Sequence, residues 1–355
     1  MSTEAINIQI EKIEKSKLDQ VDWENLPFGK VFSDHMIEMD YADGKWSAPI
    51  VTPYRNLELS PATSILQYGQ TFFEGLKATK NDKGEIVLFR PTENAKRFNI
   101  SADRMCMPEV PEDIFMAALK ILLETDTDWI PSKEGYALYI RPFMIAMDPY
   151  VGIRPSDTYK FMIFTCPVGA YYSEPVPVKI ETKYSRAVSG GTGYAKAGGN
   201  YAGSLYPAKL GQEQGYRQLI WTDAKEHKYI EEAGTMNVMF QIGDTLITPK
   251  SSDTILAGIT RRSVVDIARD WGYKVEERQV TVAEVIEAIK TNTLVEAFGV
   301  GTAATIAQIN LIHFEGVDYK LSDPNTRVFS NKVLAYLNDY KAGKVEDKFN
   351  WLVKF

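Results

Sequence analysis

Lys196 sits in GGTGYAKAGGNYAGS, residues 190–204, where six glycines and other small residues surround a single cationic side chain. Glycine reaches backbone conformations other residues avoid and lets chain or ligand approach closely, so a lysine in such a turn can be aimed at a ligand rather than at water. Desolvation or a neighbouring cation would lower its pKa and leave a nucleophilic amine. Taken alone, the same loop reads as a surface turn carrying a solvated lysine. The remainder of the chain decides between the two.

Five further groupings could do chemistry. Tyr201 follows Lys196 by five residues. Glu231 and Glu232 lie where an apolar strand ends in AGTMN; such pairs are usually solvated, but if the strand is half buried one of the two must face inward. Tyr139 and Arg141 share one face of the apolar strand GYALYIRPFMIAM, and an arginine there is costly unless paired with a ligand or an ion partner. Gly258-Ile259-Thr260 opens the helix RRSVVDIARDW, with Thr260 as its expected N-cap, and free N–H groups at such a start bind phosphate. In LVEAFGVGTAATI, an apolar strand runs into Gly299, Gly301, Thr302 and Ala303, a tight turn that exposes N–H groups.

Other chemistries are poorly served. His35, His227 and His313 are the only histidines and belong to no metal motif. Cys106 and Cys166 are far apart, have no zinc spacing, and read as buried inert thiols. The chain has 355 residues, 45% hydrophobic and 25% charged, with net charge −7. These values are ordinary for a globular protein of about two domains. No basic tract marks a nucleic-acid partner, and no apolar run approaches the roughly 18 residues of a membrane span. The charged opening MSTEAINIQIEKIEKSK lacks an apolar signal core, so a cytoplasmic location is expected.

The elements that must position these groups follow from patterning. In the first half, strands are expected at Phe28–Phe32, His35–Tyr41 and Trp46–Pro53, the last two joined by an Asp43-Gly44 turn. A helix or loop at Leu57–Leu66 precedes the strands TFFEGLKATK and EIVLFR. Thr92 is the expected cap of TENAKRFNISADR, which carries Phe98, Ala102 and Met105 on one face and Arg97, Ser101 and Arg104 on another. By itself the second face reads as solvated. Pro111 opens EDIFMAALKILLET, and KFMIFTCPVGAYY is a continuous buried strand. Proline-rich SEPVPV marks a boundary. In the second half, VKIETKY leads to the lysine loop, and a helix starts there with Pro207 expected in or near its first turn. RQLIWTD pairs with HKYIEEAG, and TMNVMFQI with TLITP through Gly243-Asp244. Thr281 and Glu284 form a capping box.

Together, an imine-forming lysine, two phosphate cradles and an acidic partner for a ring nitrogen suit pyridoxal 5'-phosphate, whose protonated ring is an electron sink. No GxxxxGK[ST] is present, and the lysine loop lacks the third glycine of a dinucleotide motif. The segments QTFFEGLKA, LFRPTENAKRFNISADRM, LYIRPF, CPVGAYY, AKAGGNYAGS, EEAGTMNVMF, ILAGITRRSV and EAFGVGTAATI occur in order between Trp23 and Gln308. In this combination the chain resembles the branched-chain amino acid aminotransferases of the pyridoxal-phosphate fold-type IV class.

The resemblance implies an α/β (α+β) fold in two domains. Residues 1–172 would form a smaller N-terminal α/β domain, 173–182 an interdomain loop, and 183–355 a larger cofactor-binding domain with a mixed, barrel-like sheet. It implies Lys196 as the Schiff-base lysine and proton shuttle, Glu232 against the pyridine nitrogen with Glu231 its solvated neighbour, and Tyr201 on the ring hydroxyl. Arg97, the N–H groups of Ile259 and Thr260, and Thr302 would hold the phosphate. Thr302-Ala303 and Tyr139 would take the substrate α-carboxylate. Arg141 with Tyr68 would receive the distal carboxylate of glutamate, and Phe73, Gly75 and Tyr171 would line apolar walls. Tyr68, Val151 and Ile153 would reach a neighbouring subunit's pocket, which implies a homodimer. Amino acids and 2-oxo acids would be the partners, with amino transfer between L-leucine, L-isoleucine or L-valine and 2-oxoglutarate.

Three departures limit the resemblance: Ala304 and Ala307 replace the CxxC redox pair of vertebrate members, Pro207 is unusual after the lysine, and the acidic arm before Trp23 has no counterpart. A D-amino acid aminotransferase or an aminodeoxychorismate lyase shares the fold, and a non-catalytic phosphate-ligand binder is the rival of another class.

Overall fold

The computed structural model describes residues 8–169 and 174–355. Tyr171 lies outside them. Internal contacts divide the chain into two compact units: Met1–Tyr171 with Ala195–Gly199 and Asp339–Phe355, and Tyr172–Tyr194 with Asn200–Asn338. The C-terminal segment thus groups with the first unit rather than with the residues just before it.

In the first unit, β1 (Gln9–Ile10), β2 (His35–Ala42), β3 (Lys45–Trp46) and β4 (Ile50–Pro53) are followed by α1 (Ser64–Tyr68), β5 (Thr71–Phe73), β6 (Leu76–Lys80) and β7 (Ile86–Phe89). Helices α2 (Pro91–Arg104) and α3 (Glu112–Thr125) then lead to the long strands β8 (Ala137–Ala146) and β9 (Tyr159–Val168). The strand order is β1-β4-β2-β9-β8-β6-β7, closed by the C-terminal strand Leu352–Lys354, with β3 on β2 and β5 on β8. Apart from the parallel β1/β4 pair, neighbours are antiparallel. An aromatic cluster lies within the unit's largely aliphatic core. Phe98 of α2 lies 4.5 Å from Phe72 and 5.3 Å from Phe161 between ring centroids, so the helix is anchored to the sheet beside β5.

The second unit contains β10 (Val176–Ile180), most of α4 (Gly198–Glu213), β11 (Gln218–Thr222), β12 (Tyr229–Ala233), β13 (Asn237–Ile242), β14 (Thr245–Pro249), α5 (Ile259–Asp270), β15 (Lys274–Arg278), β16 (Val280–Thr281), α6 (Val282–Lys290), β17 (Leu294–Gly301), β18 (Thr305–Phe314), β19 (Val317–Lys320) and most of α7 (Phe329–Lys341). Its sheet runs β15-β14-β13-β17-β18-β10-β11-β12-β16. Parallel pairs (β10/β11, β10/β18, β14/β15) mix with antiparallel ones, and an Ala233–Met236 bridge joins the ends of β12 and β13 into a curled, barrel-like sheet.

Local turn chemistry behaves as its residues predict. Asp43 and Gly44 both have positive φ (52° and 74°), matching a tight hairpin. Gly243-Asp244 joins the antiparallel β13 and β14, and the Thr281 hydroxyl accepts from Glu284 N at 3.0 Å to cap α6.

Several expectations need correction. Phe28–Phe32 is a turn, because Gly29 takes φ +69° and Lys30 N folds back to Pro27 O. Thr92 lies inside α2, which starts one residue earlier at Pro91, a residue pre-set for the first helical position. Gly258, not Thr260, caps α5. Pro207 lies past the middle of α4, well beyond the first turn. Residues 176–180 of the expected linker are β10, since Val176, Val178 and Ile180 alternate inward and Pro177 is tolerated between them. Cys106 is exposed, at φ +54° just past α2. Cys166 is buried as expected, and burial pushes its thiol up to about 11.

Candidate active site

In the first unit the backbone of Lys196 is fixed before its side chain can do anything. Lys196 N donates to Ser101 Oγ at 3.0 Å, its carbonyl accepts from Phe73 N at 3.2 Å, and Ala197 bridges Phe72. The lysine is therefore stitched to α2 and β5, and its half-buried side chain carries Nζ to 4.9 Å from the Phe73 ring centroid. Arg141 lies over the same ring at 4.3 Å. Two cations thus share one aromatic wall.

Arg141 donates from Nη2 to the Tyr139 hydroxyl at 3.0 Å, while its buried Nε has no hydrogen-bond partner among the described residues. A buried guanidinium donor left open in this way suits an incoming carboxylate. Gly75 is part of the same arrangement. A Cβ on it would lie 2.2 Å from the Tyr139 hydroxyl, so its lack of a side chain admits Tyr139.

Arg97 is not on a solvated face. It is buried and bidentate to Glu74, Nε to Oε1 at 2.6 Å and Nη2 to Oε2 at 2.9 Å. Glu74 is 0% exposed and also accepts from Asn94 Nδ2 at 2.8 Å and Gly75 N at 3.1 Å. Burial pushes the Glu74 carboxyl up, but Arg97, with Lys196 and Asn94, outweighs it and holds the group below its ordinary value. Ser101 is fully buried and turns its hydroxyl to Arg97 O.

In the second unit Glu232 is buried at the end of β12. Its Oε1 accepts from Asn237 Nδ2 and Leu256 N, both at 3.0 Å. Its Oε2 lies 2.8 Å from Arg186 Nε, an ion-pair contact whose N–H direction falls outside hydrogen-bond geometry. Arg186 Nη2 also reaches the carbonyls of Gly193 (3.0 Å) and Thr254 (2.5 Å).

Glu231 is not solvated. It is 6% exposed, because both faces of β12 are covered, and Thr254 Oγ1 donates to its Oε1 at 2.5 Å. Burial pushes its carboxyl up despite Thr254 and Arg186, with Glu232 and Asp223 adding to the rise.

The start of α5 has no side-chain cap, and Ile259 and Thr260 are buried there. A Cβ on Gly258 would lie 1.8 Å from Asn237 Oδ1, so the helix start is pressed against the residue that holds Glu232. Thr302 and Ala303 form the half-buried turn between β17 and β18. Tyr201 is half-buried in the first turn of α4.

Within the first unit, then, the structure brings together Lys196, Phe73, Gly75, Tyr139 and Arg141, with Arg97 nearby through Ser101. Within the second, Glu232 lies beside the start of α5. Sequence reasoning missed Glu74, Ser101 and Arg186. The signal for Glu74 was available: a lone carboxylate in an apolar strand needs a partner for the reason applied to Arg141.

The family model for class IV aminotransferases matches residues 71–311. Branched-chain-amino-acid aminotransferase 2 of Bacillus subtilis is 42% identical, covering 99% of this chain and 97% of that protein. The chain belongs to the branched-chain-amino-acid aminotransferase family of class IV. The Mycolicibacterium smegmatis relative is 39% identical over 93% of this chain and 92% of its own. Among solved structures, the branched-chain aminotransferase of Thermoproteus uzoniensis with norvaline superposes with a TM-score of 0.74 at 25% identity, covering 90% of this chain and 99% of that one. The Escherichia coli enzyme shares the fold, with a TM-score of 0.73 at 24% identity over 90% and 98%.

In this aminotransferase the three residues expected at a neighbouring subunit are exposed. Tyr68 donates its hydroxyl to Val151 O, and Ile153 is 90% exposed. Among the described residues no cluster of His, Cys, Asp and Glu could hold a metal, and no helix is long and apolar enough to cross a membrane.

Proposed function

We propose that this aminotransferase moves the amino group between L-leucine, L-isoleucine or L-valine and 2-oxoglutarate, using pyridoxal 5'-phosphate. The observation that carries this reading is the Phe73 wall: the Lys196 amine and an Arg141 guanidinium with an open buried donor lie on one ring, in a chain matched over 99% of its length by a relative of this family.

The residues fit the cofactor. The uncapped start of α5 offers Ile259 and Thr260 N–H groups to a phosphate, and Thr302 and the guanidinium of Arg97 are assigned to the same group from sequence. The Arg97–Glu74 pair fixes that guanidinium in orientation. Glu232, neutralised by Arg186, is the partner for the ring nitrogen, and Tyr201 the partner for the ring hydroxyl. When bound, pyridoxal phosphate supplies a carbon that takes up the amino group and a ring that withdraws electrons from the substrate Cα.

Lys196 takes the proton from the substrate Cα and returns it on the cofactor side, its backbone held still by Ser101 and Phe73. Thr302-Ala303 and the Tyr139 hydroxyl hold the α-carboxylate. Arg141, with Tyr68, takes the distal carboxylate of glutamate. Phe73 and Gly75 shape the apolar wall, and Tyr171 is assigned to it from sequence. A single pocket thereby serves an apolar side chain and a charged one.

The exposed Tyr68, Val151 and Ile153 support a homodimer in which these residues complete the partner's pocket. The family match favours branched-chain substrates over the D-amino acid and lyase alternatives of the same fold.

A panel of amino donors tests the reading, together with borohydride reduction of the coloured protein and mass mapping of the pyridoxyl tag. Activity on L-leucine, L-isoleucine and L-valine, with the tag on Lys196, is expected. Activity on D-alanine without L-leucine, or a colourless protein that gains no colour with added cofactor, overturns it.

A further inference from the structure

Glu231 has no place in the reaction just described, yet it is buried and chemically engaged. Its Oε1 receives the Thr254 hydroxyl at 2.5 Å, and the Thr254 oxygen is itself 3.0 Å from Ser252 Oγ. The carbonyl of the same Thr254 is where Arg186 Nη2 rests, at 2.5 Å. Arg186 in turn meets Glu232 Oε2 at 2.8 Å. Thr254 is thus held at both ends, by Glu231 through its side chain and by Arg186 through its backbone. The second Glu231 oxygen is buried and has no hydrogen-bond partner among the described residues.

An ionised carboxylate with one open oxygen is unfavourable in such a place, whereas a protonated acid accepts from Thr254 and carries no charge. A neutral Glu231 does not compete with Glu232 for the Arg186 guanidinium.

We propose that Glu231 is a positioning residue: through the Thr254 hydroxyl it fixes the carbonyl on which Arg186 rests, and so aims that guanidinium at Glu232. The inference relies on the assignment of Glu232 to the cofactor ring nitrogen made above. Residues that orient the groups in direct contact with a cofactor typically matter nearly as much as the contacts themselves.

The test uses the full chain stripped of cofactor and refilled with pyridoxal 5'-phosphate labelled with 15N in the ring. Three quantities are read: the dissociation constant by equilibrium dialysis, the 15N shift of the ring nitrogen, and the melting temperature of the apo form. Thr254→Val and Glu231→Leu each remove the link. Both are expected to weaken cofactor binding about three- to tenfold, the worth of one hydrogen bond, and to move the ring-nitrogen signal toward its unprotonated position. Thr254→Ser and Glu231→Gln keep the link and should restore both readings.

If Thr254→Val and Glu231→Leu lower only the apo melting temperature while affinity and 15N shift stay put, Glu231 is merely structural and the proposal fails. Glu232→Gln serves as the control. A shift with Glu232→Gln but none with the Thr254 or Glu231 substitutions sinks the positioning role alone. An unchanged signal in Glu232→Gln sinks the underlying assignment of Glu232.

Discussion

Two buried carboxylate–guanidinium pairs, one in each unit, use the same residue types to different ends. In the first, Glu74 and Arg97 meet through two parallel contacts, and Asn94 and Gly75 N occupy the remaining acceptor positions of the carboxylate. The Glu74 carboxylate has every oxygen engaged, so the pair holds α2 and the β5–β6 turn in register. In the second, Arg186 divides its donors between Glu232 and the carbonyls of Gly193 and Thr254, and the neighbouring Glu231 keeps an open oxygen. The Glu74 side of the first pair is closed, while its Arg97 is the guanidinium proposed for the cofactor phosphate. The second is tied into backbone through Arg186, and its carboxylate, Glu232, is the one proposed to face the cofactor ring. What separates the two pairs is which member is proposed to meet the cofactor: the guanidinium in the first, the carboxylate in the second.

The largest expected effect falls on neither pair but on the amine placed beside the first. Lys196→Ala should lower kcat by about a thousandfold or more while cofactor still binds through Arg97 and the start of α5, as read by single-turnover kinetics and dialysis. Loss of cofactor binding with retained activity would reverse the roles assigned to the lysine and to the cradle.

Next in size is the comparison itself. Glu74→Ala strands the buried Arg97 guanidinium and should cost about 3–5 kcal/mol in urea unfolding. Glu232→Ala should cost less stability, about 1–3 kcal/mol, because Arg186 keeps its two carbonyls, yet it should remove far more activity. Equal stability losses would erase the distinction drawn between the pairs.

Arg141→Ala comes third. The open Nε predicts a rise in KM for glutamate and 2-oxoglutarate of about ten- to a hundredfold, as for loss of a charged hydrogen bond, with L-leucine affected much less. An equal loss for both substrates counts against the distal-carboxylate role.

The smallest effect is the pH dependence that Glu231 confers. Its folded pKa is raised above the ordinary 4.5, so its contribution to stability is full below that value and is lost as pH rises through the folded pKa. The groups facing it are Arg186, Glu232 and Asp223, and Lys225, Lys250 and Asp253 share with it the wall of a cavity of about 470 Å³. Glu231→Gln removes the titration, so its melting temperature relative to wild type should climb as pH increases from 4.5 toward neutrality. A constant difference across that range would place Glu231 outside the titrating set. Glu74 has the opposite sign: its depressed pKa contributes stability that is present above 4.5 and lost as pH falls through the folded value.

Features set by a few adjacent residues were legible. The Asp43-Gly44 and Gly243-Asp244 turns, the Thr281 cap and the long strands around Tyr139–Arg141 and Phe161–Cys166 follow from spacing alone, because their hydrogen bonds close within a few residues or their side chains simply alternate. The features misread depend on distant chain. Read by itself the Arg97 face looks solvated, and the Glu74 partner that buries it cannot be seen locally because it lies 23 residues away on another element. Ser101 was invisible as a support because the amide it receives is 95 residues on. Alternation predicts a solvated Glu231 because it buries one of two neighbours only when a sheet has one covered face, and β12 is covered on both.

The residue types and their order determined by themselves the family and the cofactor chemistry, and singled out the lysine proposed to perform it, since these rest on functional groups and short backbone motifs carried in every conformation of the chain. Only the tertiary structure decided which charges are paired, which donor stays open on Arg141, and why Glu231 is buried. Those outcomes depend on desolvation and on contacts between segments far apart in the chain, and neither quantity exists until the sheets have closed around them.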